Sequence, residues 1–310
     1  MRKVSLPGIE REVSRMCLGT VNFGVTLDQD GVCHRLEDFF SMGGNFIDTA
    51  HVYSNWLPGP TSRSEKMLGK ALKAYDRSRW IISTKGAHFD FACPDISRVT
   101  PENIVKDLTE SLDHLETDYV DLYFLHRDNP KVPVSELVDC LDEQVRNGRI
   151  RAIGCSNWTL PRVKEAAAYS MQNRKARFTV NQLMWSMAAI NRSGIPSDYV
   201  LMDDETMRFS EESRMGIMAY TSLAKGYFTK RWRQDKLNKD LLSTYQNEEN
   251  DRIFAKIRTF GSAPEVTRYS LRFFEKAPVP AVPIVTCNTR DQLLECVSAF
   301  DTGNDAFSPI

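Results

Sequence analysis

An α/β fold of the (β/α)8 barrel class is what this sequence of 310 residues predicts, from three observations. Short apolar stretches alternate with amphipathic helical stretches, a pattern typical of parallel sheets that are covered on both faces. The short stretches number eight. A polar residue stands at the C-terminal end of almost all of them, where barrels collect an active site from many strands. An open doubly wound sheet also fits the alternation, but it binds ligands at one switch point, so the polar strand ends favour the barrel.

The eight strands are predicted from brief, largely apolar runs. They are Met16–Thr20, Asn45–Asp48, Trp80–Thr84, Tyr119–His126, Arg151–Ser156, Phe178–Gln182, Gly216–Tyr220 and Ala281–Thr286. Ahead of them, Lys3–Arg15 predicts a small β-hairpin that turns at Pro7-Gly8 and closes the bottom of the barrel.

Amphipathic stretches with capping signals predict the helices. One runs from Leu27 to Met42, and another spans Val134–Arg146 and ends at Asn147-Gly148, a left-handed cap signal. Thr100-Pro101 places a cap and a first-turn proline ahead of a third helix. Further helices are predicted to begin near Thr159, Pro264 and Thr289.

Two polar stretches, 191–210 and 228–261, predict loop insertions over the rim of the barrel. The second explains why the interval between the strand ends Tyr220 and Thr286 is the longest in the chain. No linker interrupts the pattern and no repeat other than the β/α unit is found. We therefore expect a single domain over residues 1–310.

The composition excludes several kinds of partner. Forty Lys+Arg against 41 Asp+Glu give a formal net charge of −1, so no bulk field favours nucleic acid or a membrane surface. No apolar run approaches the roughly 18 residues of a spanning helix, and no signal peptide is recognised. The seven cysteines form no C-x-x-C pair, which indicates reduced thiols and a cytoplasmic location. The oligomeric state is left open.

Common motifs for nucleotide, metal and acyl chemistry are missing. The chain contains no G-x-G-x-x-G, no G-x-x-x-x-G-K-[ST], no H-E-x-x-H and no G-x-S-x-G. Its five histidines show no metal-ligand spacing. We therefore expect no metal site.

An acid, a phenol, an ammonium and an imidazole do occur where predicted strands end. Asp48 ends one strand and Tyr53 lies in the loop after it, while Lys85 and His126 stand at the ends of the next two. An unperturbed phenol titrates at about 10, and a neighbouring ammonium favours the phenolate and lowers that pKa. The pattern predicts Tyr53 as proton donor, Lys85 as its tuner, Asp48 as the anchor of Lys85 and His126 as the group that orients a substrate carbonyl.

Each of these residues also has a structural explanation. Asp48 and Lys85 are residue types that often form an ion pair, and His126 would fit as a half-buried core histidine. Four such groups on successive barrel units favour chemistry instead. His51 and Tyr123 are interpreted as a loop contact and a strand-packing residue.

These residues resemble the aldo-keto reductase family. The resemblance covers nearly the whole chain and is most specific at Asn45–Tyr53, Leu125-His126, Gly154–Asn157 and Asn181-Gln182. It implies a TIM barrel that binds NADP(H) across its rim, with Asp48, Tyr53, Lys85 and His126 as the catalytic tetrad. The implied reaction is hydride transfer between the nicotinamide and an aldehyde or ketone, with Tyr53 as general acid or base.

The resemblance also implies a set of cofactor contacts. Ser156, Asn157 and Gln182 match positions that hydrogen-bond the nicotinamide carboxamide, and Tyr220 matches an aromatic residue stacked on its ring. The loop that begins at Tyr220 resembles the one over the pyrophosphate, with Lys225 supplying charge. The full expected set is Gly19, Thr20, Asp48, Ser156, Asn157, Gln182, Tyr220, Thr221, Leu223, Lys225, Thr286, Asn288 and Gln292.

The segment after the last strand departs from the family pattern. Val285-Thr286 stands where the family commonly has Pro-Gly, and Cys287-Asn288 follows without the Arg or Lys often found near the adenosine phosphate. A 2′-phosphate needs charge-assisted donors for strong binding. Arg290 is close by, but a residue on a helix faces solvent as readily as a ligand. NADP is thus expected from the resemblance, and NAD stays an alternative.

The substrate is a small carbonyl or alcohol compound on this reading. Phe23, Trp56 and Trp185 lie in predicted rim loops, and the polar Asn22 and Asn55 favour a hydroxylated or sugar-like compound.

Two other functions stay open. Lys85 would also serve as the nucleophile of a Schiff-base lyase, and the chain would also suit a non-catalytic regulatory subunit that holds NADPH.

Overall fold

Eight parallel strands pair around a closed ring in the computed structural model, which describes residues 1–301. This ring confirms the predicted (β/α)8 barrel. The strands in chain order are β1 (Lys3–Val4) and β2 (Val13–Ser14), outside the ring, and then β3 (Cys17–Gly19), β4 (Phe46–Asp48), β5 (Ile81–Gly86), β6 (Val120–Leu125), β7 (Ile150–Ser156), β8 (Phe178–Met184), β9 (Gly216–Tyr220) and β10 (Ala281–Val285). Pairing of β10 with β3 closes the ring. The end of the predicted single domain, 302–310, lies outside the described residues.

The pairing register brings the C-terminal strand ends together. Asp48 of β4 stands opposite Ser83 of β5, and Ser156 of β7 stands opposite Gln182 of β8. Because all eight strands run the same way, the residues that follow them meet at one rim. The rim therefore gathers side chains that are far apart in the sequence.

The N-terminal hairpin closes the opposite end, as predicted. β1 pairs antiparallel with β2, and Leu6 and Val13 pack in the cluster that fills the barrel interior. Gly8 turns with φ +83°, and a Cβ there would stand 2.7 Å from the hydroxyl of Thr179. The turn therefore requires glycine both for its backbone angle and for space.

The described residues form eleven α-helices. They are α1 (Gln29–Ser41), α2 (Arg63–Leu72), α3 (Pro101–Leu115), α4 (Val134–Arg146), α5 (Leu160–Asn173), α6 (Asp204–Ser213), α7 (Tyr227–Trp232), α8 (Lys239–Tyr245), α9 (Glu248–Ile257), α10 (Ala263–Arg272) and α11 (Arg290–Val297). The helices predicted near Leu27, Thr100, Val134, Thr159, Pro264 and Thr289 all form. Helix α2 was not predicted, and its N-cap Ser62 is left-handed and makes no side-chain cap hydrogen bond.

The prediction of a loop insertion over 191–210 is wrong for its second half. Asp203 caps α6 by accepting a hydrogen bond from Thr206, and this helix belongs to the barrel between β8 and β9. Its buried residues are Thr206 and Ser210 rather than large apolar side chains. Helix α6 therefore lacks the apolar periodicity that predicts a helix from sequence.

The insertion over 228–261 is present but is helical, since it holds most of α7 and all of α8 and α9. Its buried residues Tyr245 and Ile257, with Tyr227 just before it, form an apolar cluster with Met184 at the end of β8 and Ala188 in the loop after β8. We call this layer the cover. Asn250 ties it together, because its side chain accepts from the amide of Ala189 and donates to two backbone carbonyls.

A search of the described helices for a segment that is both long and apolar enough to cross a membrane finds none.

Candidate active site

A cavity of about 940 Å³ opens at the C-terminal rim of the barrel. Every residue expected to contact a cofactor lines it, and so do three of the four tetrad residues, Asp48, Tyr53 and His126. The fourth, Lys85, lies directly beneath, with 1% of its surface exposed. The structure thus brings the whole predicted site together.

Lys85 is held by three oxygen atoms at the end of β5. Its Nζ donates to Asp48 Oδ2 at 2.6 Å, to the carbonyl of Thr49 at 2.7 Å and to the Tyr53 hydroxyl at 3.0 Å. Burial alone would lower the pKa of Lys85, but the Asp48 carboxylate and the Tyr53 hydroxyl outweigh it and raise the pKa. Lys85 is therefore a charged ammonium against the phenol.

Asp48 is oriented by neighbours on two strands. Its second oxygen, Oδ1, accepts from Ser83 Oγ at 2.8 Å and from Gln182 Nε2 at 3.0 Å. These bonds leave Oδ2 to face Lys85. A buried carboxylate whose two oxygens both have hydrogen-bond partners keeps its position.

Tyr53 behaves differently from the expectation in one respect. Lys85 does lower the pKa of the phenol, but burial raises it by more and Asp48 adds to the rise, so the net pKa lies above its ordinary value. The hydroxyl is therefore protonated throughout the neutral range. The effect of Lys85 is to limit the cost of forming a phenolate in a buried place.

His126 stands on the other side of Tyr53, with 6.1 Å between the ring centroids. Burial lowers the pKa of His126 well below its ordinary value, and the neighbouring His88 and Arg127 add to the effect. The imidazole is therefore neutral. Its Nδ1 is buried and has no hydrogen-bond partner within the described chain.

We call the part of the cavity beyond Tyr53 and His126 the substrate end. It is lined by the aromatic residues Trp56, Phe89, Phe91 and Tyr199, by His88, and by Arg127 with Asp198. Of these only Trp56 was predicted. The others lie after β5, after β6 and in the loop before α6, and they carry no local motif that would have identified them.

Several predicted substrate residues lie elsewhere. Phe23 is fully buried in the barrel core, and Trp185 lines a separate cavity of about 600 Å³. The amide of Asn22 donates to Cys287 and Asn288, while Asn55 accepts from the backbone of Ser62. Because these asparagines are engaged inside the protein, they give no support to a sugar-like substrate.

Ser156, Asn157 and Tyr220 meet beside Gln182, as expected. Asn157 lies in the left-handed region at φ +58°, and its Oδ1 accepts from the Tyr220 hydroxyl at 2.6 Å. Its amide nitrogen donates to Ser156 Oγ at 3.1 Å. Gln182 Oε1 receives no hydrogen bond from the described residues, which leaves an acceptor for a ligand.

The loop after β9 has an unusual backbone. Thr221 has φ +55°, and the consecutive residues Ala224, Lys225 and Gly226 all lie in the left-handed region, at φ +49°, +54° and +77°. The amides of Ser222 and Leu223 reach no backbone carbonyl of the described chain. Successive unpaired amides in such a loop form a concave site for an anion. The ammonium of Lys225 pairs with Asp240 at 2.7 Å.

The far end of the cavity, which we call the cofactor end, is built on the start of α11. Gln292 forms a capping box with Thr289, and its Oε1 also accepts from the Asn288 amide at 2.8 Å. Arg290 pairs with Asp38 of α1 at 3.0 Å and does not line the cavity. Arg290, the cation nearest in sequence to the end of β10, therefore does not contribute its charge to the cavity.

Two cations, Lys230 of α7 and Arg233 immediately after that helix, line the cofactor end together with Thr229. Thr229 bonds to Thr267, which donates to Glu295 of α11, and this contact brings α7 over the end of the cavity. Sequence reasoning missed both cations because it placed α7 in an insertion. The sequence feature that could have identified them is the run of basic residues that follows the loop after β9.

These features fit a dinucleotide. The cavity volume lies at the upper end of the range for small-molecule sites. A free amide acceptor lies beside the tetrad, an anion-binding loop lies in the middle, and two cations lie at the far end. Taken in this order, the features suit a ligand with a neutral amide at one end and anionic groups along the rest of its length.

One group of potential metal ligands lies outside this cavity. His51, Asp107 and Glu110 bring one ligand atom each to within 4.8 Å of the others. These side chains already have partners within the protein, since His51 Nε2 bonds to Glu110 at 2.7 Å and Arg98 pairs with Asp107. This agrees with the interpretation of His51 as a loop contact.

Comparison with known proteins gives a consistent picture. The model described as "Aldo/keto reductase family" matches residues 15–305. Aldo-keto reductase YhdN of Bacillus subtilis is 28% identical over 239 residues, which cover 74% of this chain and 64% of that protein. Norsolorinic acid reductase B of Dothistroma septosporum is 26% identical over 236 residues, or 72% of this chain and 56% of that protein. The chain thus spans between about half and two thirds of the length of these relatives.

A third relative carries a different kind of name. A putative voltage-gated potassium channel subunit beta of Schizosaccharomyces pombe is 32% identical over 136 residues, which cover 42% of this chain and 37% of that protein.

Proposed function

The chain belongs to the aldo/keto reductase family, and on that premise we propose that it reduces an aldehyde or ketone to an alcohol, or catalyses the reverse oxidation, with NADP(H) as cofactor. The observation that carries this proposal is the 3.0 Å contact between the Lys85 ammonium and the Tyr53 hydroxyl at the floor of the cavity. It joins a proton donor to the cation that stabilises its conjugate base.

Tyr53 gives its phenolic proton to the substrate oxygen in the direction of reduction. Lys85 then stabilises the phenolate, and Asp48 keeps Lys85 charged. His126, being neutral, donates a hydrogen bond to the carbonyl oxygen without competing as an acid. In the oxidation, the Tyr53 phenolate accepts the alcohol proton.

The cofactor, when bound, supplies the hydride or accepts it. Ser156, Asn157 and Gln182 would hold its carboxamide, Tyr220 would pack on its ring, and the left-handed loop would hold its pyrophosphate. Lys230 and Arg233 would bind the adenosine phosphate. These two cations support NADP(H) rather than NAD(H), because a 2′-phosphate needs charge-assisted donors.

The alternatives have less support. A Schiff-base lyase needs a neutral amine as nucleophile, whereas Lys85 is a charged ammonium with three hydrogen bonds. A non-catalytic regulatory subunit would agree with the channel-subunit relative. It gives no reason, however, for a phenol, an ammonium and a carboxylate in mutual contact. Seven free cysteines support a reducing compartment such as the cytoplasm.

Replacement of Tyr53 by Phe tests the proposal. The variant should lose the proton donor and keep the cavity, so we expect NADPH-dependent reduction of an aldehyde panel to fall by about 10²–10⁴-fold. NADPH binding, followed by fluorescence, should change little. Activity is measured from nicotinamide absorbance.

The matched control is Tyr169→Phe, which removes an equivalent hydroxyl from the outer surface of α5, where it bonds to Asp139. We expect wild-type turnover from this control. A Tyr53→Phe protein as active as wild type would refute the assignment of the proton donor. If the wild type binds NADPH but reduces nothing in the panel, the regulatory alternative gains support.

A further inference from the structure

A cation stands at the substrate end of the cavity, immediately after His126. The Arg127 side chain is 13% exposed and lines the cavity beside Tyr199, with its guanidinium 5.1 Å from the centre of that ring. The other cations that line the cavity within the described chain, Lys225, Lys230 and Arg233, belong to the loop after β9, to α7 and to the residue after α7. Arg127 is therefore positioned for the substrate rather than for the cofactor.

The guanidinium is only partly engaged. One terminal nitrogen donates to the carbonyl of His126 at 2.9 Å, and Nε donates to Asp198 Oδ2 at 2.8 Å. The other terminal nitrogen donates to no acceptor within the described residues. The edge formed by Nε and that nitrogen is the one that binds a carboxylate through two parallel hydrogen bonds. Asp198 fills half of it.

The exposure of Asp198 favours displacement of its carboxylate from the Arg127 guanidinium. Its side chain is 44% exposed and lies in the loop between β8 and α6. Ion pairs with an exposed partner contribute little to stability, so displacement of this carboxylate by water has a small cost. A ligand carboxylate that makes two bonds to the guanidinium replaces an internal carboxylate that makes one.

The surroundings favour an anion once Asp198 has moved. His88 and His126, which follow β5 and β6, lie close to Arg127 and are neutral, and Asp48 is buried beneath Tyr53 and already paired with Lys85. The other residues assigned to this end are aromatic, namely Trp56, Phe89, Phe91 and Tyr199. An unpaired guanidinium among apolar walls binds a negative charge more strongly than it would in water.

Building on the proposed reductase function, we infer that the preferred substrates are aromatic or apolar carbonyl compounds that carry a carboxylate, which Arg127 binds in place of Asp198. Arg127 would then hold the far end of the substrate while the carbonyl reaches Tyr53. Asp198 acts as the internal competitor that this carboxylate displaces.

The first experiment compares 4-carboxybenzaldehyde with its methyl ester, which has the same ring and aldehyde without the charge. The quantity measured is the ratio of kcat/KM for the acid over that for the ester. We expect a ratio above one in the wild type. Arg127→Gln should lower it tenfold or more, Arg127→Lys should lower it less, and Asp198→Asn should raise it several-fold.

The control variant is Arg252→Gln, which removes an arginine of α9 whose partner, Glu248, is highly exposed. It changes the net charge by the same amount and does not line the cavity. Its ratio should equal that of the wild type. A wild-type ratio of one or below, or an equal ratio in wild type and Arg127→Gln, would overturn the inference.

A second measurement separates this inference from the proposed reaction. Binding of benzoate and of benzamide to the protein is followed by calorimetry, without any turnover. Benzoate should bind more tightly than benzamide in the wild type, and Arg127→Gln should abolish the difference. If benzoate binds in this manner and no aldehyde is reduced, the carboxylate site stands and the proposed function fails. Equal binding of benzoate to wild type and Arg127→Gln refutes the carboxylate site whatever the activity.

Discussion

Tyr53 shows how burial and charge act on one side chain. Burial raises the pKa of its phenol, the Lys85 ammonium lowers it, and burial dominates. The proton is therefore present whenever a substrate binds near neutral pH, and Lys85 reduces the cost of giving it up. A solvent-exposed phenol beside the same ammonium would have kept a pKa closer to its ordinary value.

A second residue, His88, links the substrate end to the pH dependence of stability. Burial, with the charge of Arg127 adding to it, lowers the pKa of His88 from 6.5 to about 4. The folded protein thus favours neutral His88, while the unfolded chain takes up a proton at about 6.5. The contribution to stability is complete above pH 6.5 and is lost as the pH falls towards 4.

We predict that the free energy of unfolding of His88→Asn decreases less than that of the wild type as the pH falls from 6.5 to 4. The difference between the two decreases should reach up to about 3 kcal/mol. Urea unfolding at a series of pH values measures it. His34→Asn, at an exposed position on α1, is the control and should keep the wild-type slope. An unchanged slope in His88→Asn would show that His88 is not held neutral by the fold.

At the scale of the element, α7 determines what the cofactor end offers. The helix is only six residues long and begins after the left-handed Gly226. The helix nevertheless places Lys230, and the residue after it, Arg233, on the cavity, whereas Arg231 turns away to Asp251. The cationic character of this end therefore belongs to an inserted helix and not to the barrel itself.

The double variant Lys230→Gln, Arg233→Gln tests this role. Loss of two charge-assisted contacts should weaken NADPH binding by about tenfold or more, with a much smaller effect on NADH. Fluorescence titration with both cofactors gives the two dissociation constants. Arg252→Gln again serves as the control for lost charge. An equal loss for NADPH and NADH would exclude selective binding of the 2′-phosphate.

On the scale of the whole molecule, polar contacts of Asn250 help to join the cover to the barrel. Asn250 is fully buried and makes three hydrogen bonds, two of them with the backbone of Ala189 and one with the carbonyl of Tyr245. These contacts connect α9 and the end of α8 to the loop after β8. That loop leads on to Asp198 and Tyr199 at the substrate end.

We predict that Asn250→Ala lowers the stability of the cover by about 2–4 kcal/mol, because the Ala189 amide and the Tyr245 carbonyl lose this partner, whereas the Ala189 carbonyl keeps Asn247 as a donor. Hydrogen exchange of the amide of Ala189 should become faster, while exchange in β5 and β6 stays slow. Asn173→Ala, at an exposed position on α5, is the control. If exchange of the Ala189 amide is as slow as in the wild type, Asn250 does not hold the cover in place.

Much of the fold and most of the predicted site follow from the sequence, because each rests on a local pattern. Short apolar runs predict the eight strands. Capping residues such as Pro101 and Asn147 predict helices such as α3 and α4. Asp48, Lys85 and His126 stand at strand ends, and a parallel barrel necessarily brings such ends to one rim.

The remaining features of the site depend on contacts between distant segments of the chain. The net rise in the pKa of Tyr53 comes from burial by the whole rim, and the capture of Arg290 by Asp38 comes from the packing of α11 on α1. Lys230 lines the cavity because α7 packs on α10. The half-open guanidinium of Arg127 depends on a carboxylate 71 positions away. Periodicity and capping report on neighbours within a few residues, whereas burial and pairing across the barrel exist only once the chain has folded.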